Sequence, residues 1–159
     1  MKGDAVIGLM LAALDEAFNR KSWHGTNLRG SLRSLTVDQA AWRPGKGRHN
    51  IWEIVVHTAY WKYAVRRAIT GEKRGSFPYK GSNWFARDGT DGTEWRRDLK
   101  LFDNEHRQLR AAVAGFDPRK LGESSGRRFT YASLIRGIAA HDLYHAGQIQ
   151  LLKRMQKGT

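Results

Sequence analysis

The stretch His141-Asp-Leu-Tyr-His145 places two histidines four residues apart near the end of the 159-residue chain. No proline interrupts residues 130–156, which read as one long helix. Positions i and i+4 of a helix lie on one face, a turn apart, so two imidazoles there can hold one ion between them. Counting outward, Leu134, Ile138, His141, His145, Gln148 and Leu152 recur at alternating spacings of four and three. That is the seam a bundle helix turns inward. Both histidines and Gln148 thus fall among aliphatic core positions. A buried imidazole needs a partner, and a shared metal ion serves both.

A second segment, from about Asn50 to Thr70, repeats the pattern with Ile54, His57, Trp61, Ala64 and Ala68. Any one inward histidine is more often a core residue bonded to a carbonyl or hydroxyl. Three of them on two helices suffice for a three-nitrogen metal site with an open position, as catalytic zinc sites have. His57, His141 and His145 are therefore the expected ligands. His106 falls in a third seam with Trp95, Leu99, Phe102, Leu109 and Val113; it reads as a core histidine, with a supporting role at the site as the alternative. Gln148 is a candidate for orienting a ligand, and Tyr60, Trp61, Trp84 and Tyr144 for lining a pocket. His24 and His49 read as loop or cap residues without chemistry.

Composition limits the alternatives. There is no cysteine, so disulfides and thiolate ligands are excluded, and a metal site must use nitrogen and oxygen. A hydrophobic content of 40% with six tryptophans argues for a packed core, and the length suits one domain, residues 1–159. The apolar run Ala5–Leu14 is too short to span a bilayer; flanked by Asp4, Asp15 and Glu16, it reads as an amphipathic first helix. A cytoplasmic protein with no membrane partner is expected. The net charge of +13 suits polyanions, but the basic residues are dispersed, as at Arg66-Arg67, Arg96-Arg97 and Arg127-Arg128. A solvated basic surface is the simpler reading, and a basic nucleic-acid-binding module the rival.

Mostly helical segments are expected over 4–21, 26–35, 50–70, 93–115 and 130–156, with Thr36-Val-Asp-Gln39 as a capping sequence, Asn50 as an N-cap and Gly71 as a helix end. Residues 71–94 form a long irregular stretch carrying Phe77, Tyr79, Trp84 and Phe85; loops of this length are often functional. The expected fold is all-α: a four-helix bundle with a helical N-terminal extension.

Three ordered segments, Ala41-Trp-Arg-Pro44, Asn50-Ile-Trp-Glu-Ile-Val-Val-His57 and His141-Asp-Leu-Tyr-His-Ala-Gly-Gln-Ile149, resemble the DinB-like (YfiT-like) family of metal-dependent helical bundles. The resemblance covers nearly the whole chain. It implies a crossover between the third and fourth helices, one divalent ion such as zinc or nickel on His57, His141 and His145, and a homodimer. Members of that family include transferases of low-molecular-weight thiols and a thiol-dependent isomerase, so the resemblance implies an enzyme acting on a small-molecule substrate, with the thiol as a further cofactor. An ion on three neutral imidazoles can activate either a thiol or a water, which keeps a hydrolase open beside the transferase. A purely structural metal is the remaining alternative. The zinc-protease motif requires Glu directly after its first histidine; here Asp142 takes that place and is expected to face off the seam, which disfavours peptidase activity.

Overall fold

Each long helix past the first begins on a side chain that accepts from its own first turn. The computed structural model describes residues 2–126 and 128–158; Arg127 lies outside them. Its helices are α1 (Lys2–Phe18), α2 (Leu28–Ser31), α3 (Val37–Ala41), α4 (Ile51–Thr70), α5 (Gly92–Ala114) and α6 (Tyr131–Met155), with a 3-10 turn at Pro118–Lys120. Among the described residues there is no strand, only an isolated bridge between Ser124 and Thr130 ahead of α6. Asn50 caps α4 by accepting from Glu53 N at 2.8 Å. Asp91 and Thr130 cap α5 and α6 in the same way. Thr36 and Gln39 form the expected capping box of α3. Gly71 ends α4 at φ 76°, a left-handed conformation that glycine adopts without steric cost.

Helices α1, α6, α4 and α5 pack in that order around a ring, each against its two neighbours. The ring sets α5 and α6 across the diagonal, so the α5–α6 connection crosses the bundle, and α1 and α4 are likewise opposed. The N-terminal helix packs on both α6 and α5, so it is a full member of the bundle rather than an extension of it. The short α2 covers α6, and α3 covers α4.

Two apolar clusters stack along the bundle. One gathers Phe18, Trp52, Val55, Phe102 and Ile149; the other Leu14, Val65, Leu109, Ile135 and Ile138. At their boundary a fully buried ion pair joins Lys62 of α4 to Asp142 of α6. Burial pushes the Asp142 carboxyl up to about 6 against the pull of Lys62. Burial likewise pushes the Lys62 ammonium down against the pull of Asp142. Each charge is therefore kept by the other, one position away from His141. Asp142 does not face away from the core, as its place beside the counted seam suggests. The buried face of α6 runs through Ile135, Ile138, Asp142, His145, Ile149 and Leu152, and the seam through Leu134, His141 and Gln148 lies on its half-buried flank. The same holds on α4, where Trp61, Ala64 and Ala68 are half-buried. A seam of apolar residue types leaves out a buried charged pair, which marks the same face.

The stretch between α4 and α5 is tied down by two buried polar groups. Asp98 of α5 accepts from Trp52 Nε1 at 2.7 Å, from Arg87 Nε at 2.6 Å and from the Tyr79 hydroxyl. Asn50 donates from Nδ2 to the Arg87 carbonyl at 2.7 Å and to that of Ala41 at 3.1 Å. Phe77, Tyr79 and Phe85 pack with Tyr60 and Tyr63 beneath this loop.

Removing one member of a buried ion pair strands the other, at a cost of about 3–5 kcal/mol, whereas replacing both by apolar groups is close to neutral. Lys62→Met alone is expected to lower stability on that scale, and Lys62→Met with Asp142→Leu to recover most of the loss in urea denaturation. Equal losses in the two variants would show that the pairing is not what matters there.

Candidate metal centre

His57 follows the first two turns of α4, and His141 and His145 lie on either side of the midpoint of α6. The packing of these two helices brings the three rings together. His57 Nε2 and His145 Nε2 each lie 3.1 Å from His141 Nε2, and the three residues form a group whose ligand atoms all fall within 4.8 Å of one another. A tetrahedral ion with zinc–nitrogen bonds of about 2.0–2.1 Å separates its ligand nitrogens by about 3.3 Å, so the spacing fits one ion.

The outer nitrogens decide which way the lone pairs point. His57 Nδ1 donates to the Asn83 carbonyl at 2.9 Å, and His145 Nδ1 donates to Gln148 Oε1 at 2.7 Å. A backbone carbonyl can only accept, so His57 carries its proton on Nδ1 and its Nε2 lone pair faces inward. Gln148 holds His145 the same way while its Nε2 donates to the Tyr144 hydroxyl at 3.0 Å. His141 can offer one proton at most to these two lone pairs, and its buried Nδ1 has no hydrogen-bond partner. Three converging imidazole nitrogens that cannot satisfy one another are a donor set for a cation. Burial pushes His57 down to about 4, against the bond to Asn83 that favours its charged form. Burial and the neighbouring histidines push His141 down to about 3. His145 falls to about 4, mainly through burial. All three are neutral at pH 7, the state in which they ligate.

A family model described as DinB superfamily matches residues 21–149. The chain belongs to the DinB superfamily. That superfamily is metal-binding, and this chain carries a three-histidine group. No curated protein and no solved structure matches the chain significantly. No helix among the described residues is long and apolar enough to cross a membrane.

In this DinB-superfamily chain the other sequence candidates separate. Trp84 stacks on His57 with ring centroids 3.8 Å apart. Trp61 meets His57 and His141 edge-on and donates from Nε1 to Asn83 Oδ1 at 2.9 Å. Tyr144 lies edge-on to His145 and is 65% exposed. Tyr60 turns instead to Phe77 and Phe85 under the loop. His106 stands apart, stacked on Phe18 at 3.7 Å and pushed down to about 3 by burial. It is a core histidine and does not join the three.

Three contributors were not legible from spacing. Asn83 sits at φ 68°, a region where asparagine is tolerated and bulkier residues are strained. That turn aims its carbonyl at His57. His49 stacks on the other face of Trp84 at 3.6 Å, and its Nδ1 meets Glu53 Oε2 at 2.8 Å. Glu53 also takes two bonds from Arg43, at 3.0 and 2.7 Å. Burial pushes the Glu53 carboxyl up, but the bonds from Arg43 and His49 outweigh it and hold it below the ordinary value. Arg43 and Glu53 thus join the Trp-Arg-Pro segment to the Asn-Ile-Trp-Glu segment. Arg43 and Glu53 clamp a stack in which Trp84 lies between His49 and His57.

Four histidines are kept neutral by the fold, with folded values of about 3 to 4 against about 6.5 unfolded. Between those limits the unfolded chain binds more protons, so stability rises with pH. The metal-free protein is expected to be at full stability above pH 6.5 and to weaken as pH falls from 6.5 toward 4. Urea midpoints at pH 7.5, 6 and 5 check this, and a flat profile would contradict it.

Proposed function

We propose that the protein is a metal-dependent transferase of low-molecular-weight thiols, using one zinc or nickel ion held by His57, His141 and His145. The observation that carries the reading is the convergence of three neutral imidazole Nε2 atoms, two with lone pairs fixed from outside by Asn83 and Gln148. Three neutral ligands leave a bound ion its full double charge, which lowers the pKa of a water or thiol bound to it.

The choice between transferase and hydrolase rests on the surroundings. No carboxylate joins the three histidines among the described residues. Asp142 is sealed beneath Lys62, and Glu53 is held by Arg43 and His49. With no free base at the site, the reaction favoured is one whose nucleophile the ion ionises unaided, and a thiol, near pKa 8.5 when free, needs less help than water.

Two recesses flank the histidines, one for each substrate of a transfer. The first, about 430 Å³, is lined by Arg48, His49, Trp84, Gln148, Leu152 and Met155. Its guanidinium and the surrounding positive charge suit a thiol that carries carboxylates. The second opens beside His141. Trp84 and Gln148 border the first recess while touching His57 and His145, so they orient the ligands and shape the thiol side together.

Untagged protein prepared without chelator is expected to hold about one ion per chain, lost in His57→Ala and His145→Ala. Gln148→Ala is expected to weaken metal affinity about 10- to 100-fold, as loss of a ligand's outer partner does. Elemental analysis and competition with a chromogenic chelator read both. No metal after incubation with zinc or nickel would overturn the proposal. Loaded with metal, the protein should form a thioether from a low-molecular-weight thiol and an alkyl electrophile; hydrolysed electrophile without thioether would assign it to hydrolysis instead.

A further inference from the structure

The second recess, a groove of about 240 Å³, is lined by no charged side chain among the described residues. Trp61 and Val65 of α4 form one wall, Leu134 and Ile138 of α6 the other, and Phe129 stands at the far end. His141 lines the near end. The hydroxyl of Ser133, the remaining polar group, already accepts from Thr130 Oγ1 at 3.0 Å in the helix cap.

The groove has a specific cause. Trp61 lies one turn beyond His57, and Gly137 one turn before His141, and both line it. The two helices therefore carry the histidine face outward into an apolar channel, left open where α6 has no side chain. Glycine in mid-helix costs about 1 kcal/mol relative to alanine. Such a glycine is explained when another backbone packs against it, but a Cβ built at Gly137 would meet nothing within 4 Å. What the missing side chain leaves is space, contiguous with the three-histidine group.

We infer that this groove binds an uncharged alkyl or aryl arm of the substrate, holding the reacting group next to it at the metal centre. This rests on the metal-site reading and adds a substrate class to it. At about 30 Å³ per water-sized group the volume admits roughly eight such groups, enough for a six- to eight-carbon chain or a substituted ring. The arm belongs to the electrophile, because the opposite recess carries the cationic Arg48. Apolar area buried in the groove gives affinity without a polar anchor, and the His141 end sets which atom of the substrate lies by the ion.

A homologous series of straight-chain alkyl hydroxamates, two to ten carbons, titrated calorimetrically into the zinc-loaded protein tests the inference. Affinity should rise about three- to fourfold per methylene and level off near eight carbons. Gly137→Leu fills the groove with a better helix former, so it should retain zinc and thermal stability. It should bind acetohydroxamate like the wild type, yet lose at least tenfold in affinity for the hexyl and octyl members. Gly137→Ala should lose less than Gly137→Leu. In parallel, n-alkyl alcohols titrated into metal-free protein read the groove without the ion. Chain-length dependence there, abolished by Gly137→Leu, would uphold the groove even if the protein retained no zinc. Affinity independent of chain length in both series, or a dependence that Gly137→Leu leaves intact, would overturn it. So would a change in sedimentation on Gly137→Leu with alkyl affinity unaltered, which would give the groove to a second copy of the chain.

Discussion

The hydrogen bond from His57 Nδ1 to the Asn83 carbonyl is the constraint on which the site depends. It fixes the tautomer of one imidazole from outside, before any ion arrives, and so decides that the Nε2 lone pair points inward. The carbonyl is available because Asn83 takes a left-handed turn and because the loop bearing it is anchored. Three donors from Trp52, Tyr79 and Arg87 converge on the buried carboxylate of Asp98, and Asn50 grips the Arg87 carbonyl. These bonds tie the irregular segment to α4 and α5. Gln148 does the same for His145 from within α6, and the Lys62–Asp142 pair sets α4 against α6 beside both. A polar framework buried in the bundle is costly unless its members are matched, and the Asn83, Gln148 and Asp98 contacts place such matched groups around the histidines.

The basic surface gains a local meaning from this arrangement. Dispersed charge of +13 gives no nucleic-acid motif, but it raises the local concentration of small anions. Arg48 sits in the one flanking recess, while the opposite groove is lined by no charged side chain among the described residues. Both recesses have largely apolar walls, and they differ in charge, Arg48 standing in the first alone among the described residues. That asymmetry suits two unlike substrates meeting at one ion, and it does so with no dedicated general base.

Helix positions were largely legible in the sequence, because capping residues and glycine stops act locally: Asn50 and Thr130 begin α4 and α6, and Gly71 ends α4. The three histidines were legible as one group because spacing on two helices carries them to one face. The centre of each buried stripe was not. Counting apolar residues set His141 and Gln148 in the middle of α6, whereas the buried face is centred on Asp142, His145 and Ile149. A buried lysine and aspartate defeat such a count, since each is tolerated only because of the other, on a different helix. The displacement matters chemically: on the flank, His141 stays half-buried and borders a groove open to solvent. The parts played by Asn83, His49 and Asp98 were hidden for a related reason. They act through a carbonyl direction, a ring stack and a convergence of donors, all set by tertiary geometry.

The most direct test of the account is the tautomeric state of the histidines, read by long-range nitrogen–proton correlation in ¹⁵N-labelled protein at pH 7, without metal and then with one equivalent of zinc. The account predicts that His57 and His145 carry their protons on Nδ1 in the metal-free protein. It further predicts that the Nε2 signals of His57, His141 and His145 shift together when zinc is added. Protons on Nε2 of His57 and His145, or Nε2 signals unmoved by zinc, would contradict it.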